Sequence, residues 1–549
     1  MTRTVPLVVL AVLSFAAGAF TGTAPGRAEH DLVQRYVQAW SQGNYTKMYA
    51  LLDRASKATT SRSGFEAAYQ GAANTATLIS VVPLHVGNRV GETIPVVLRV
   101  RTRVFGTLRE TLTVPLAGSG SGASVKYSGA LVFPGLRPGE QLSRQMTLPP
   151  RAELLASNGT PLAEGPSRTS PIPDVAAQVV GSLGPIPPGD ASTYAMLGYP
   201  PDAKVGLTGL ERIFQNRLAG TAGGTLLAGS RPLARATAVA GRNVTTTINP
   251  TIERAAITAM AGRYAGIAAM DPRTGGLLAL AGVAFSALQP PGSTMKIITA
   301  TGALEAGIVK LTDTFPIATE SDVGGFMLQN ANGEACGGTF LNAFAVSCNS
   351  VFAPLGVKLG AQRLVNVAER FGFNESPSIP GAAESAIPSA ATIGDDTDVG
   401  SSAIGQGRVL STALGMTDVA ATIAMGGRRP IPTLLAHQRP HFVHVTSRHI
   451  ARLVQQMMLA VVQYGTGTAA QIPGVNVAGK TGTAELRNTA NPNDPNANSA
   501  QNTDAWFVGY APAGRPRIVV GALFPEQGAG GATAAPAVHD VLAAALQAH

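Results

Sequence analysis

The sequence contains few charged residues. Asp, Glu, Lys and Arg make up 13% of its 549 residues, against 45% hydrophobic residues, so a long disordered chain is not expected. The net charge is +9, but the basic residues are scattered and no run of five or six occurs. This scatter excludes the basic stripe typical of nucleic-acid-binding proteins, although a basic surface suits an anionic polymer or anionic lipid headgroups. The length and the apolar content together predict three or four domains with real cores.

Cysteine is almost absent, since only Cys336 and Cys348 occur. No cysteine lies near the N-terminus, which excludes lipid attachment through a thiol there. The pair could form one disulfide in an exported protein, and two separate buried thiols are the alternative, because sequence spacing does not give geometry.

A compact metal-binding motif is also lacking. Four histidines fall within a short stretch that Pro440 interrupts, namely His437, His441, His444 and His449. They lack the spacing of a ligand set, so we expect a surface segment there and no metal or other cofactor.

The N-terminal stretch has no charge between Arg3 and Arg27, a run of 23 residues. This is long enough to cross a hydrocarbon core of ~30 Å as a helix. Arg3 predicts that the short N-terminal end lies inside and the bulk of the chain outside. We expect residues 1–27 to be a single-pass plasma-membrane anchor that leaves the rest of the chain on the extracytoplasmic side. A cleaved signal peptide is the alternative, because small residues offer cleavage sites near Ala24 and Ala28.

Residues 28–145 predict an α+β domain. Apolar spacing and strand-forming runs indicate helices followed by strands, at 31–40, 45–52 and 65–69, and then at 76–86, 93–105, 108–116 and 124–132. Helices before a curved antiparallel sheet predict a small cone-shaped domain. It contains no acid/base pair, so we expect it to act as a spacer.

Residues 146–245 predict a β-rich pedestal or dimerisation-type domain without catalytic residues. Asn158-Gly159 between two apolar runs indicates a hairpin. A helical segment at 206–218 and a strand at 225–228 follow. The Pro- and Gly-rich stretch 165–188 is expected to be a connecting segment without regular secondary structure.

Residues 246–549 predict a third domain of α+β class. Asn249 and Pro250 indicate a helix start. Strands are predicted early at 265–270 and 277–281 and late at 475–485, 504–510 and 516–524, with a final helix at 535–548. Such strands can form one five-stranded antiparallel sheet with the helical middle packed on it. The polar stretch 490–502 is expected to be a loop between two of the late strands.

A nucleophile and a base are indicated in Pro290-Pro-Gly-Ser-Thr-Met-Lys296. The Pro/Gly turn leads into a helix, so Ser293 and Lys296 share one helical face. A serine hydroxyl needs a neighbour to take its proton, and a lysine can do so when burial lowers its pKa. Taken alone, the pair is equally typical of a helix cap beside a solvated lysine.

Two further motifs follow at workable spacing. Ser347-Cys348-Asn349 begins 54 residues after Ser293, and Lys480-Thr481-Gly482, extended by Thr483, begins 133 residues after Ser347. Each has an ordinary alternative, with Asn349 as a helix cap, Gly482 as a bulge and Lys480 as a solvated charge at a strand edge. The three patterns together, in this order, are the signature of penicillin-binding proteins and class A β-lactamases.

The sequence around the three motifs resembles that of class B penicillin-binding proteins, which are D,D-transpeptidases. The matching stretches are "PPGSTMK", "SCNSVFAPLGVKLG", "IGQGRVLSTALGMTDVAATIAMGG", "GKTGTAE" and "DAWFVGYAP". The resemblance covers residues 246–549 and, more weakly, 146–245. Cys348 in the second motif and "RAELLASNG" in place of an arginine-glycine hairpin opening are departures. The "AW..GNY..MY.LL" opening of the first domain resembles the nuclear-transport-factor-like domain of MecA-type members.

The resemblance implies a role for each motif residue. Ser293 would attack a D-Ala-D-Ala amide, Lys296 would take its proton, and Ser347 would pass a proton to the leaving D-alanine. Asn349 would hold the acyl chain and Lys296. Lys480, Thr481 and Thr483 would bind the substrate carboxylate, and Gly482 would let the substrate approach the strand. The N–H groups of Ser293 and Thr483 would form the oxyanion hole.

The implied reaction is cross-linking of peptidoglycan stem peptides through an acyl-enzyme, with β-lactams acylating the same serine. A separate glycosyltransferase is expected as partner, because no such module is visible. A D,D-carboxypeptidase is the nearest alternative. A serine β-lactamase would need a glutamate beside an asparagine between the second and third motifs, and Glu369, Glu375 and Glu384 lack that context. A β-lactam sensor would need a multi-span signalling part.

Overall fold

The computed structural model describes residues 26–486 and 499–548. Within these ranges, no helix combines the length and apolar character needed to cross a bilayer. The predicted anchor therefore lies almost wholly outside the described residues, as does most of the predicted loop 490–502.

The described residues form α-helices and β-strands throughout both ranges. The helices are α1 Arg27–Ser41, α2 Tyr45–Ala50, α3 Arg54–Thr59, α4 Arg62–Ala76, α5 Pro173–Val179, α6 Ala191–Met196, α7 Gly209–Ile213, α8 Gln215–Ala219, α9 Pro250–Met260, α10 Lys296–Glu305, α11 Phe340–Ala345, α12 Asn349–Leu359, α13 Ala361–Arg370, α14 Asp396–Ala403, α15 Ala413–Ala424, α16 Arg448–Gln463 and α17 Ala534–Gln547. The strands are β1 Leu78–Val86, β2 Thr93–Thr102, β3 Thr107–Ala117, β4 Ser124–Val125, β5 Leu142–Thr147, β6 Leu154–Leu155, β7 Pro161–Ala163, β8 Leu183–Pro185, β9 Lys204–Gly206, β10 Gly223–Ala228, β11 Arg231–Ala236, β12 Val244–Thr245, β13 Gly266–Asp271, β14 Gly276–Gly282, β15 Thr314–Ala318, β16 Glu320–Val323, β17 Phe326–Gln329, β18 Cys336–Thr339, β19 Arg428–Pro430, β20 Phe442–His444, β21 Ala478–Glu485, β22 Thr503–Ala511 and β23 Ile518–Phe524.

One compact unit comprises the described residues up to Pro149 together with Ile186–Ala203 and Thr221–Val239. Its main sheet has the order β1-β2-β3-β4, and a second sheet has the order β11-β10-β5. Alternate residues of β2 are buried from Ile94 to Val100, as expected for a strand with one face on a core. They share a core with apolar residues of α1 and α4. The predicted helices-then-sheet domain is therefore confirmed.

Two elements of this unit differ from their predictions. The run 124–132 was expected to be one strand, but pairing stops at Val125 and a 3-10 turn occupies Gly129–Val132. Gly129 interrupts the extended run, which explains the early end. The helix expected at 65–69 begins earlier and runs from Arg62 to Ala76. It is capped by Ser61, whose side chain accepts a hydrogen bond from the Gly64 N–H.

The second unit comprises Pro150–Pro185, Lys204–Gly220 and the described residues from Ala240 onward. The predicted hairpin is present, because β6 pairs with β7 across the Asn158-Gly159 turn. The stretch 165–188, expected to be a connecting segment, instead contains α5 and β8. Pro173 occupies the first turn of α5, where a missing N–H costs nothing, and Val175 is fully buried. Long-range packing of this short helix overrides the local Pro/Gly signals.

The predicted five-stranded antiparallel sheet lies in this second unit, with the order β14-β13-β23-β22-β21. Alternate residues of β13 face opposite layers. Ile267 shares a core with residues of α9 and α17, whereas Met270 shares a core with residues of α10 and α15. Helices therefore cover both faces of the sheet. Strand β21, which contains the third motif, is an edge strand and is accessible to a ligand along one side.

Candidate active site

The first motif lies on a 3-10 turn, Gly292–Met295, that continues into α10. In a 3-10 turn, residues three apart lie one above the other, so Ser293 and Lys296 stack on one face. Gly292 has a φ of +53°, and its N–H donates to the carbonyl of Gly405 at 2.9 Å. Ser293 is partly exposed, whereas Lys296 is fully buried. The helix therefore begins at the predicted position, but Ser293 makes no capping hydrogen bond.

The side chain of Lys296 connects the first motif to the second. Its Nζ donates to the carbonyl of Ser347 at 2.7 Å, to Asn349 Oδ1 at 2.7 Å and to Ser347 Oγ at 3.3 Å. Among the described residues, the Ser293 hydroxyl has no hydrogen-bond partner. The lysine is thus fixed by the second motif, and the serine hydroxyl is free to turn.

Ser347 lies between the two lysines. Lys480 Nζ donates to Ser347 Oγ at 2.8 Å, so one hydroxyl contacts both amines. The backbone of Ser347 has a φ of +65°, which is unfavourable for a residue with a Cβ. The N–H of Ser347 donates to the carbonyl of Phe344, and the next N–H donates to the carbonyl of Ala343. These bonds hold a strained conformation that aims the hydroxyl at both lysines.

Asn349 is the first residue of α12. Its Oδ1 accepts from Lys296, and its Nδ2 donates to the carbonyl of Gln329 at 3.1 Å. Cys336 and Cys348 are joined by a disulfide next to this asparagine. The two connections attach the segment between β17 and β18 to the start of α12.

The third motif packs directly on the first. A Cβ built on Gly482 would lie 2.8 Å from the Pro291 carbonyl oxygen, 3.0 Å from Thr294 Cγ2 and 2.9 Å from Trp506 Cβ. Any side chain at Gly482 would therefore push β21 away from the turn that holds Ser293. From the sequence, Gly482 is expected to let the substrate approach the strand. The close packing against Pro291 and Thr294 is a second reason why a residue without a side chain is needed at this position.

The two threonines of the third motif have separate partners. Thr481 is 4% exposed, and its Oγ1 is hydrogen-bonded to the Oγ1 of Thr466. Thr483 Oγ1 accepts from the Gly530 N–H at 3.3 Å. Sequence reasoning missed Thr466 and Gly530. The turn signal of Gly465-Thr466-Gly467 after a helix was available, but its contact with a strand 15 residues away was not.

Both lysines have lowered pKa values. Burial, and secondly the positive charge of Lys480, hold the pKa of Lys296 well below its ordinary value of 10.5. Burial lowers the pKa of Lys480 to about 7. The aromatic rings of Phe352 and Phe344 lie 5.5 Å from the amines of Lys296 and Lys480, respectively, and contribute to the apolar surroundings. An amine that is neutral near pH 7 can accept a proton from a neighbouring hydroxyl.

The structure therefore brings all the predicted motif residues into one cluster. Ser347 Oγ links Lys296 to Lys480, and the turn holding Ser293 packs on Gly482. In the described part of the chain, no group of three or more His, Cys, Asp or Glu side chains is placed to hold a metal ion. The cluster has the components of acyl transfer by a serine nucleophile and a lysine base.

Comparison with known protein families gives three matches along the chain. Residues 265–543 match the family described as penicillin-binding protein transpeptidase domain. Residues 140–231 match the penicillin-binding protein dimerisation domain, and residues 28–140 match the NTF2-like N-terminal transpeptidase domain. The first of these matches includes all three motifs.

Individual proteins are similar over much of the chain. The peptidoglycan D,D-transpeptidase PbpA of Mycobacterium tuberculosis is 32% identical over 370 residues, which cover 56% of this chain and 73% of that protein. The D,D-transpeptidase domain of a peptidoglycan glycosyltransferase from Eggerthella lenta is 29% identical with a TM-score of 0.59, covering 73% of this chain and 98% of that one. A ceftriaxone acyl-enzyme of penicillin-binding protein A from M. tuberculosis is 26% identical with a TM-score of 0.57, covering 72% and 98%.

Proposed function

The chain belongs to the penicillin-binding protein transpeptidase family, and from that premise we propose that Ser293 is its acylated nucleophile. The protein is a serine-type peptidoglycan D,D-transpeptidase that β-lactams inhibit covalently. One observation supports the assignment to this serine. A buried lysine with a lowered pKa lies one 3-10 turn from Ser293 and is hydrogen-bonded to Ser347 and Asn349.

In the first half-reaction, Ser293 Oγ forms a bond to the carbonyl carbon of the penultimate D-alanine, and the amide C–N bond breaks. The hydroxyl proton of Ser293 passes to the neutral amine of Lys296. Ser347 gives its proton to the departing nitrogen of the terminal D-alanine and regains one from the lysines that it contacts. The position of Ser347 Oγ between two amines suits this relay.

The substrate carboxylate is bound at β21 in this proposal. Lys480 supplies positive charge, and the hydroxyls of Thr481 and Thr483 donate hydrogen bonds. The N–H groups of Ser293 and Thr483 stabilise the oxyanion, and one such donor contributes about 3 kcal/mol in comparable sites. Asn349 holds Lys296 and the acyl chain, while Gly482 keeps β21 close to the nucleophile.

In the second half-reaction, an acceptor amine on a neighbouring stem peptide attacks the acyl-enzyme. The ester C–O bond breaks, an amide forms, and Ser293 recovers its proton. Water in place of the amine would give carboxypeptidase or β-lactamase chemistry. The three glutamates considered for water activation have other partners, since Glu375 pairs with Arg429, Glu369 with Asn374 and Glu384 with Ser376.

The location and partners of the protein remain proposals from the sequence. We propose that residues 1–27 anchor the chain in the plasma membrane, with the catalytic domain of residues 246–549 on the extracytoplasmic side. Residues 28–145 then act as a spacer and residues 146–245 as a pedestal. A separate glycosyltransferase supplies the glycan strands.

We expect purified protein to join a donor peptide ending in D-Ala-D-Ala to a stem peptide with a free amine. Mass spectrometry should detect the cross-linked product, with one D-alanine released for each new amide. Ser293→Ala should form none, because the acyl-enzyme cannot form. Release of D-alanine without cross-linking at saturating acceptor would instead identify a carboxypeptidase. Rapid turnover of a chromogenic cephalosporin would identify a β-lactamase.

We also expect the affinity for benzylpenicillin before acylation to weaken above pH 7. The pKa of Lys480 is about 7, so its positive charge is lost as the pH rises through that value. The dissociation constant, obtained from the concentration dependence of the acylation rate, should be flat below pH 7 and rise above it. Lys480→Arg keeps its charge throughout and should flatten the profile. A constant that falls with rising pH would contradict a cationic Lys480 in carboxylate binding.

A further inference from the structure

Thr466 lies in the turn after α16 and is absent from all three motifs. Its side chain is exposed, and its Oγ1 is hydrogen-bonded to Oγ1 of the nearly buried Thr481. In the described part of the chain, this is the only hydrogen bond of the Thr481 hydroxyl. Thr481 is one of the residues of the third motif proposed to bind the substrate carboxylate. Its hydroxyl therefore has one hydrogen-bond partner among the described residues, Thr466.

The backbone around Thr466 has little freedom to move. Its N–H donates to the carbonyl of Ala345 at 3.1 Å, two residues before Ser347. A Cβ on Gly465 would lie 2.1 Å from the same carbonyl oxygen. On the other side, a Cβ on Gly531 would lie 2.5 Å from the Thr466 carbonyl oxygen. The turn is thus packed against the second motif and the segment before α17, so the Thr466 hydroxyl is held at Thr481.

A hydroxyl group has one proton to donate and two lone pairs to accept. If Thr481 donated its proton to Thr466, it would present only lone pairs to an incoming carboxylate. If Thr466 donates instead, the proton of Thr481 is free to point at the carboxylate. Accepting one hydrogen bond also strengthens the bond that a hydroxyl donates.

We propose that Thr466 is a positioning residue that orients the Thr481 hydroxyl toward the carboxylate of the acyl donor. It favours donors with a free carboxylate next to the scissile amide, whether the donor is a D-Ala-D-Ala peptide or a β-lactam. The inference rests on the proposed function, because it assumes that Thr481 binds this carboxylate.

The test compares Thr466→Val, Thr466→Ser and wild type in acylation by benzylpenicillin and by its methyl ester. Valine keeps the shape of threonine without the hydroxyl, and serine keeps the hydroxyl. Thr468→Val is the matched control, since Thr468 is exposed in the same turn and its hydroxyl has no hydrogen bond among the described residues. The acylation rate at several concentrations gives the dissociation constant and the first-order rate constant separately.

For benzylpenicillin, Thr466→Val is expected to raise the dissociation constant about fivefold, the size of one lost hydrogen bond between neutral groups, because the Thr481 hydroxyl is no longer held toward the carboxylate. The first-order rate constant should stay within about twofold, and Thr466→Ser and Thr468→Val should resemble wild type. For the methyl ester, which lacks the negative charge, Thr466→Val and wild type should be alike. Wild-type affinity in Thr466→Val would overturn the inference, and so would an equal loss on both compounds, which indicates general damage to the site.

Failure of the proposed function has a different outcome. In that case wild-type protein is not acylated, or Ser293→Ala is acylated as fast as wild type. Suppose that wild type is acylated, that Ser293→Ala is not, and that the dissociation constant of Thr466→Val equals that of wild type. The assignment of Ser293 as nucleophile is then supported, and the proposed role of Thr466 is wrong.

Discussion

Replacing Ser293 with alanine is expected to abolish covalent labelling by a fluorescent penicillin. The acyl-enzyme ester requires the serine oxygen, and no other hydroxyl lies one 3-10 turn before the buried Lys296. Labelling should fall to the level of denatured protein, measured by in-gel fluorescence after denaturation and by intact mass.

The same substitution should leave the fold intact. The Ser293 hydroxyl has no hydrogen-bond partner among the described residues, so its removal costs within about 0.5 kcal/mol of unfolding free energy. The melting temperature of Ser293→Ala should therefore match wild type. Ser286→Ala is the matched control, because Ser286 is exposed seven residues earlier and should label normally. Labelling of Ser293→Ala at the wild-type rate would refute the assignment of the nucleophile.

The part of the fold that was predictable from the sequence depends on local signals. Asn249 before Pro250 predicts a helix start, and in the structure the Asn249 side chain accepts from the N–H groups of Thr251 and Ile252. Apolar runs bounded by turn residues predict the five strands of the central sheet. The sequence predicts that two early and three late strands form one antiparallel sheet, whereas the pairing of β13 with β23, which joins the two groups, is given only by the structure.

One element that was missed depends on contacts distant in sequence. The helix Pro173–Val179 lies in a stretch whose prolines and glycines favour a loop, and it is stabilised by burial of Val175 rather than by propensity. Hydrophobic packing of this kind commonly overrides weak local preference. The one local signal for it is Pro173 in the first turn.

In the candidate site, too, local sequence predicts some features and tertiary packing determines the others. The three motifs identify the residue types, but the left-handed backbone of Ser347 and the contact of Gly482 with Pro291 arise only from tertiary packing. Thr466 is a further case, since its partner Thr481 is on a different element. Sequence motifs thus predicted which residues form the cluster, and the structure supplies how each is oriented.

Replacing Lys296 is expected to reduce penicillin acylation by about a thousandfold, the size of a general-base contribution. Two variants separate the functions of this lysine. Lys296→Met removes the amine, and with it the base, while keeping a similar volume. Lys296→Arg keeps hydrogen-bond donors and places a permanent positive charge at the position, but its guanidinium stays protonated and cannot accept a proton. Lys358→Met, at an exposed lysine of α12, is the control and should acylate at the wild-type rate.

The comparison of the two variants decides between a base and a fixed charge. The pKa of Lys296 lies well below 10.5 because burial and the nearby Lys480 disfavour its charged form, and this supplies the neutral amine that a base requires. If proton transfer is the main role, Lys296→Arg should be as impaired as Lys296→Met. Recovery of acylation in Lys296→Arg to within tenfold of wild type would mean that the lysine acts by its charge and its bonds to Ser347 and Asn349. Stopped-flow measurement of the first-order acylation constant distinguishes the two outcomes, because both changes act after the β-lactam has bound.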